Sequence, residues 1–171
     1  MKRVEQRTVA TSVAVLALLS LLLLVVGCSS GSDSGDISFE HVNNVWVTPE
    51  TTVWTATGKA IDNDLFCPAA NGTFERYEDE DGATRTSEEI QALIRAEEPF
   101  VLVWSMTCDD GSGEFTLRIN TPHLDSDWTW TITGGAGYDS TSGKGGIELP
   151  LDDEDVGDLL VYRGTGAITR D

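Results

Sequence analysis

From residue 128 to residue 133 every second side chain is large and apolar: Trp128, Trp130 and Ile132 alternate with Thr129, Thr131 and Thr133. A period of two puts successive side chains on opposite faces, so this stretch fits a strand with one face in a core and cannot sit still as a helix. The same alternation returns at Phe115, Leu117 and Ile119, set between Glu114, Thr116, Arg118 and Asn120, and briefly at Ile37 and Phe39. Residues 45–48 and 53–57 are β-branched and aromatic and are parted by a turn at Pro49, which predicts two more strands. The continuous apolar run 100–104 predicts a strand covered on both faces or lying beneath a helix. Turn formers at Asp109, Asp110, Gly111, Ser112 and Gly113 join that run to the Phe115 run as a hairpin. Residues 145–149 and 159–169 complete the set. Short strands at near-regular spacing, in a chain with 17 glycines, predict an all-β sandwich or barrel.

Two stretches break the rhythm. In residues 73–78 the aromatics Phe74 and Tyr77 are three apart and would face opposite sides of a sheet, which predicts an edge strand. Beyond the acidic turn at Asp79, Glu80, Asp81 and Gly82, Thr86 and Glu89 have the spacing of a capping box. Ile90, Leu93 and Ile94 then form one apolar stripe up to Pro99, so a single short helix is inserted here.

The N-terminus has a different organisation. A basic start (Lys2, Arg3, Arg7) precedes an apolar run over residues 13–26, followed by Gly27 and Cys28. That is the order of a secretory signal peptide. The run is 14 residues long, and a bilayer-spanning helix needs about 20; extended back to Val9 it would just span, so an uncleaved membrane helix stays open as the alternative. In place of a small-x-small cleavage site stand Val25, Val26, Gly27 and Cys28, and this ending resembles the bacterial lipoprotein signal. The resemblance implies removal of residues 1–27 and acylation of Cys28 by palmitate-type chains. Stable anchoring takes two lipid signals, which the family's diacylglyceryl cysteine supplies. The expected address is the extracytoplasmic face of a cell membrane. Residues 28–36, rich in Gly, Ser and Asp, are then a flexible tether, and residues 37–171 one folded domain.

The chain carries a net charge of −18, and removing Lys2, Arg3, Arg7 and Glu5, a net of +2, leaves −20 for residues 28–171. Such a surface repels nucleic acid and anionic head groups. It fits either a cationic partner or solubility alone. With Cys28 assigned to lipid, Cys67 and Cys108 form an even pair in an exported domain, which reads as a disulfide. Closing a loop of roughly 40 residues contributes about 4 kcal/mol in the loop-entropy model. Neither cysteine lies in a CxxC, and the histidines, His41 and His123, are isolated in the sequence, so zinc ligation by this set is not expected.

Residues 108–117 (CDDGSGEFTL) and 130–138 (WTITGGAGY), the latter leading to Gly143 and Gly145, carry a second likeness. Together they resemble small secreted bacterial proteins with an allene-oxide-cyclase-like barrel, where a G-S-G strand opening precedes an I-x-G-G-x-G-x-[F/Y] turn and a closing G-x-G. The likeness spans roughly residues 53–169. The chain departs from the pattern where Tyr138 follows Gly137 directly, in the helical insert, and in the acidic residues Asp152, Asp153, Glu154 and Asp155. The resemblance implies an antiparallel β-barrel, lipocalin-like in outline, to which this chain adds the one short helix insert read above. It implies no reaction, because no catalytic position matches.

Chemistry-bearing patterns are sparse. Gly143 and Lys144 follow Gly137 one residue too late for a Walker A loop, and Gly145 stands where Ser or Thr is needed. No serine lies in G-x-S-x-G, and His123 follows Pro122 in an expected loop. The 29 acids contain many possible carboxylate pairs without singling one out. Residues 78–81, 109–110 and 152–155 offer oxygen ligands for calcium without EF-hand spacing, and solvated turns explain them equally. Trp46, Trp54, Trp104, Trp128 and Trp130 either line an apolar ligand cavity or fill a solid core. No catalytic residue and no cofactor is assigned; metal- and ligand-binding residues are left open. The expected function is that of a non-catalytic binding or envelope protein, tethered to the membrane, with a small apolar ligand or a cation as possible partner. A barrel enzyme of the cyclase or hydrolase kind is the alternative.

Overall fold

The computed structural model describes residues 32–44, 51–122, 127–148 and 159–171. Cys28, the leader, residues 45–48 with Trp46, His123 and the acidic residues 152–155 lie outside the described residues. The strands are β1 (Asp33–Asn44), β2 (Thr51–Thr57), β3 (Ala69–Asp79), β4 (Thr84–Arg85), β5 (Phe100–Cys108), β6 (Glu114–Thr121), β7 (Trp128–Gly134), β8 (Thr141–Glu148) and β9 (Leu159–Arg170). Two helices interrupt them: α1 (Lys59–Asp62) and α2 (Ser87–Ala96). Each long strand pairs antiparallel with the next, and β1 returns to pair with β9 over the whole register from Asp33↔Arg170 to Asn44↔Leu159. Eight strands thus close into a meander barrel, and β4 is an extra strand hydrogen-bonded to the far end of β3. Closure removes the free sheet edges that an open antiparallel sheet would expose.

Asp33, Ser34, Gly35 and Asp36, expected in the tether, belong to β1, so the barrel begins at residue 33. They have no apolar side chain to bury, but strand pairing is a main-chain interaction and β9 supplies the partner. Gly35 is also where α1 packs: a Cβ there would lie 2.5 Å from the Ala60 nitrogen. Nor is β3 an edge strand. It pairs with β2 along one side and β5 along the other, and the register shifts between Phe74 and Arg76. The extra residue of this bulge turns the strand over. Phe74 and Tyr77 therefore share a face, their ring centroids 4.5 Å apart.

The predicted hairpin is β5 with β6, Trp104 opposite Leu117. The capping box forms as read, with Thr86 Oγ1 accepting from the Glu89 N–H and the Glu89 carboxylate accepting from the Thr86 N–H. The helix stripe is only partly covered: Ile90 is buried while Ile94 is exposed. Outward-facing Val101 and Val103 of β5 are buried and lie outside the barrel's interior cluster, so this strand is covered on both faces. Beside them on the wall Glu78 is held by Arg76 (2.7 Å) and Arg118. Burial alone would raise its carboxyl; hydrogen bonds from Arg118 and Arg76 outweigh that and hold it below the usual range.

Inside, Trp54, Trp104 and Trp130 are wholly buried. Phe39 stacks on Trp54 at 4.0 Å and meets Trp130 edge-on at 5.1 Å. The Trp130 indole lies in a recess that only glycine leaves open: a Cβ on Gly145 would come within 2.7 Å of its Nε1, and one on Gly166 within 2.6 Å of its Cζ2. These three tryptophans belong to the interior cluster, and Trp128 packs against it.

Candidate functional site

The two ends of the barrel differ in chemistry. One gathers the β2–β3, β5–β6 and β7–β8 connections and the outer ends of β1 and β9. There α1 and the residues after it tuck buried Ala60, Leu65 and Phe66 beneath the barrel, and the Leu65 and Phe66 N–H groups donate to the Ala60 carbonyl at 2.9 and 3.2 Å. Cys67 and Cys108 stand at disulfide distance, their Cα atoms 6.0 Å apart, and fasten this segment to β5. Arg170 donates to the Leu65 carbonyl at 2.8 Å and lies over the Tyr138 ring, 5.5 Å from its centroid. Tyr138 in turn shares a 2.8 Å hydrogen bond with Ser112. The residues that carry the family likeness are spent here and under Trp130. Gly113, Gly134 and Gly137 pack the turns, and Gly143 and Gly145 clear space for the indole. They build a floor and a core, which is why the motif speaks to fold and not to chemistry.

The opposite end gathers the connections from β1 to β2, β3 to β5, β6 to β7 and β8 to β9. Here the interior turns polar. His41, Asn43, Thr52 and Thr121 are buried at inward positions of β1, β2 and β6. Both threonines are satisfied by nearby main chain. Thr52 Oγ1 donates to the Val42 carbonyl at 2.8 Å, and Thr121 Oγ1 donates to the Phe100 carbonyl at 2.9 Å.

His41 is different. It is 0% exposed, with its ring edge-on to Trp104 at 5.0 Å and stacked on Tyr162 at 5.6 Å. Neither Nδ1 nor Nε2 has a hydrogen-bond partner, and the Trp104 Nε1 is unpartnered as well. Burial pushes the imidazole pKa down to about 3, so the ring is neutral at neutral pH. A neutral imidazole offers one N–H and one lone pair. Both are held inside a ring-lined region beneath the end of the barrel.

The sequence-based candidates fall elsewhere. His41, set aside as isolated, is the residue that the structure brings into a constellation. Its signal was available in the alternation Ile37, Phe39, His41, Asn43, all four of which are buried. Two of the acidic candidates are occupied by the chain itself: Asp79 accepts from the Ala83 N–H and from Arg85, and Asp110 accepts from the Ser112 N–H at 2.8 Å. Those hydrogen bonds hold both carboxyls below the usual range. Among the described residues no three of His, Cys, Asp and Glu come together as a metal would need. The chain matches no family model, no curated protein and no solved structure.

Proposed function

We propose that this chain is a lipoprotein of the cell envelope: a barrel of the allene-oxide-cyclase-like kind, anchored through acylated Cys28 on the extracytoplasmic face of a membrane, that binds a small molecule without transforming it. The observation that carries the binding reading is the asymmetry of the barrel. One end is stapled and floored by apolar packing, the middle is packed with aromatic rings, and towards the other end the two nitrogens of buried His41 are left without a hydrogen-bond partner. The anchor rests on the signal-like residues 1–28 and on the short distance, four residues, between Cys28 and the first described strand.

Two experiments separate this reading from its rivals. Fed a clickable fatty-acid analogue, cells expressing the full chain are expected to label it and to retain it in the membrane fraction. The Cys28→Ser protein is expected to do neither, and acylation persisting in that variant removes the anchor assignment. Native mass spectrometry of the full chain released gently from detergent should reveal a retained small-molecule mass. Turnover of an ester or glycoside panel, abolished by one carboxylate substitution, would instead make the barrel an enzyme.

A further inference from the structure

We infer that the ligand of this barrel is an uncharged, largely apolar molecule bearing a hydroxyl group, and that His41 and Trp104 are the residues that read the hydroxyl. The inference rests on the binding reading above. Several interior polar atoms are matched by the chain itself: Trp130 Nε1 donates to the Thr165 carbonyl at 3.1 Å, and the two threonines bond to main chain; the unmatched Trp54 Nε1 belongs to the strand position directly across from His41. At His41 two nitrogens, and at Trp104 one, are buried without a partner, on rings whose centroids are 5.0 Å apart. A buried polar group left unmatched is costly, and native interiors leave few. Leucine would occupy the place of His41 at similar volume without that cost, so the imidazole is kept for something other than packing.

The chemistry of these unmatched atoms selects their complement. Trp104 supplies a donor, and neutral His41 supplies a donor and an acceptor. A hydroxyl is the smallest group that accepts and donates from a single atom. The residues surrounding His41, namely Trp54 and Tyr162 across the strands and Trp104 against the ring, carry no charge to compensate an ion. An ionised ligand would therefore lose its hydration without repayment, and an anion would also meet the field of a chain with net charge −18. The aromatic rings favour a flat or apolar carbon frame behind the hydroxyl.

The test compares phenol with toluene, which has the same ring without the hydroxyl, and with benzoate, which is charged. Each is titrated into the full chain in detergent and followed by saturation-transfer NMR. Phenol is expected to bind at least about tenfold more tightly than toluene, a difference within reach of one or two buried hydrogen bonds, and benzoate not to bind. The His41→Leu protein should lose most of the preference for phenol over toluene. Trp104→Phe keeps a ring while deleting the N–H, and should weaken phenol and leave toluene unchanged; it serves also if the leucine variant fails to fold. Equal binding of phenol and toluene to the wild-type chain overturns the hydroxyl inference while leaving a binding barrel in place. Binding of neither probe, with no retained mass in the native spectrum, overturns both.

Discussion

At the scale of single residues, the interior of this barrel is set by two kinds of exception to an apolar alternation. Glycines stand where a ring must pass. Gly145→Ala would push a methyl group to 1.9 Å from the Thr165 carbonyl oxygen and 2.7 Å from Trp130 Nε1. We expect a loss of about 1–3 kcal/mol in urea unfolding, with a shift in tryptophan emission, since overpacking forces side chains and backbone apart. His41 is the other exception. Its pKa falls from 6.5 to about 3 on burial, so the unfolded chain takes up a proton that the folded chain refuses. The stability His41 permits is therefore complete above pH 6.5 and is lost as pH falls, by up to about 1.4 kcal/mol for each unit down to about 3. His41→Leu should flatten the stability curve between pH 6.5 and 4.5. Below that, Glu78 and Asp79, whose carboxyls are held low, lose their own contributions and the decline should persist in the variant. A curve that is unchanged by His41→Leu in the upper window would mean the ring is solvated. The inward position of His41 was legible in the sequence, in the alternation with Ile37, Phe39 and Asn43, but its surroundings were not. A histidine and a glycine at inward positions look there like interruptions of a pattern, and only the rings that surround them show what they are for.

At the scale of elements, alternation was legible wherever one face of a strand is apolar and the other polar, as in β6 and β7. Phe115, Leu117 and Ile119 point in, as do Trp130 and Ile132. The helix was legible because capping is a local interaction between Thr86 and Glu89. Two things were not. The bulge after Phe74 shifts a side-chain parity by one residue, and its signature is a register across strands that no local window contains. The start of β1 is held by main-chain pairing to β9, more than a hundred residues away in sequence, so its composition reads as linker. The floor segment with α1 makes its own prediction. Cys67 and Cys108 should resist alkylation in the untreated native protein. Reduction should lower unfolding stability by about 2–5 kcal/mol, visible as a fall in the urea midpoint. Ready labelling before reduction would contradict the stapled floor.

For the whole molecule, closure and asymmetry matter most. Pairing of the first and last strands closes the eight-strand ring, and among the described residues α1 and the disulfide floor one end while polar side chains are buried towards the other. Fold class was readable from the sequence because it depends on periodicity and spacing. The position of the site was not, because it depends on which strands become neighbours and on what their inward side chains leave unmatched. The central claim is that this barrel keeps an uncharged imidazole in its interior without a partner from the chain. The most direct measurement is the NMR titration of the His41 Hε1 resonance in the full-length protein, identified by its absence in His41→Leu; with two histidines in the chain the spectrum is simple. The expected result is a ring that stays neutral down to about pH 3, or until the protein unfolds. A His41 that titrates with a pKa close to 6.5 in the folded protein would contradict the account.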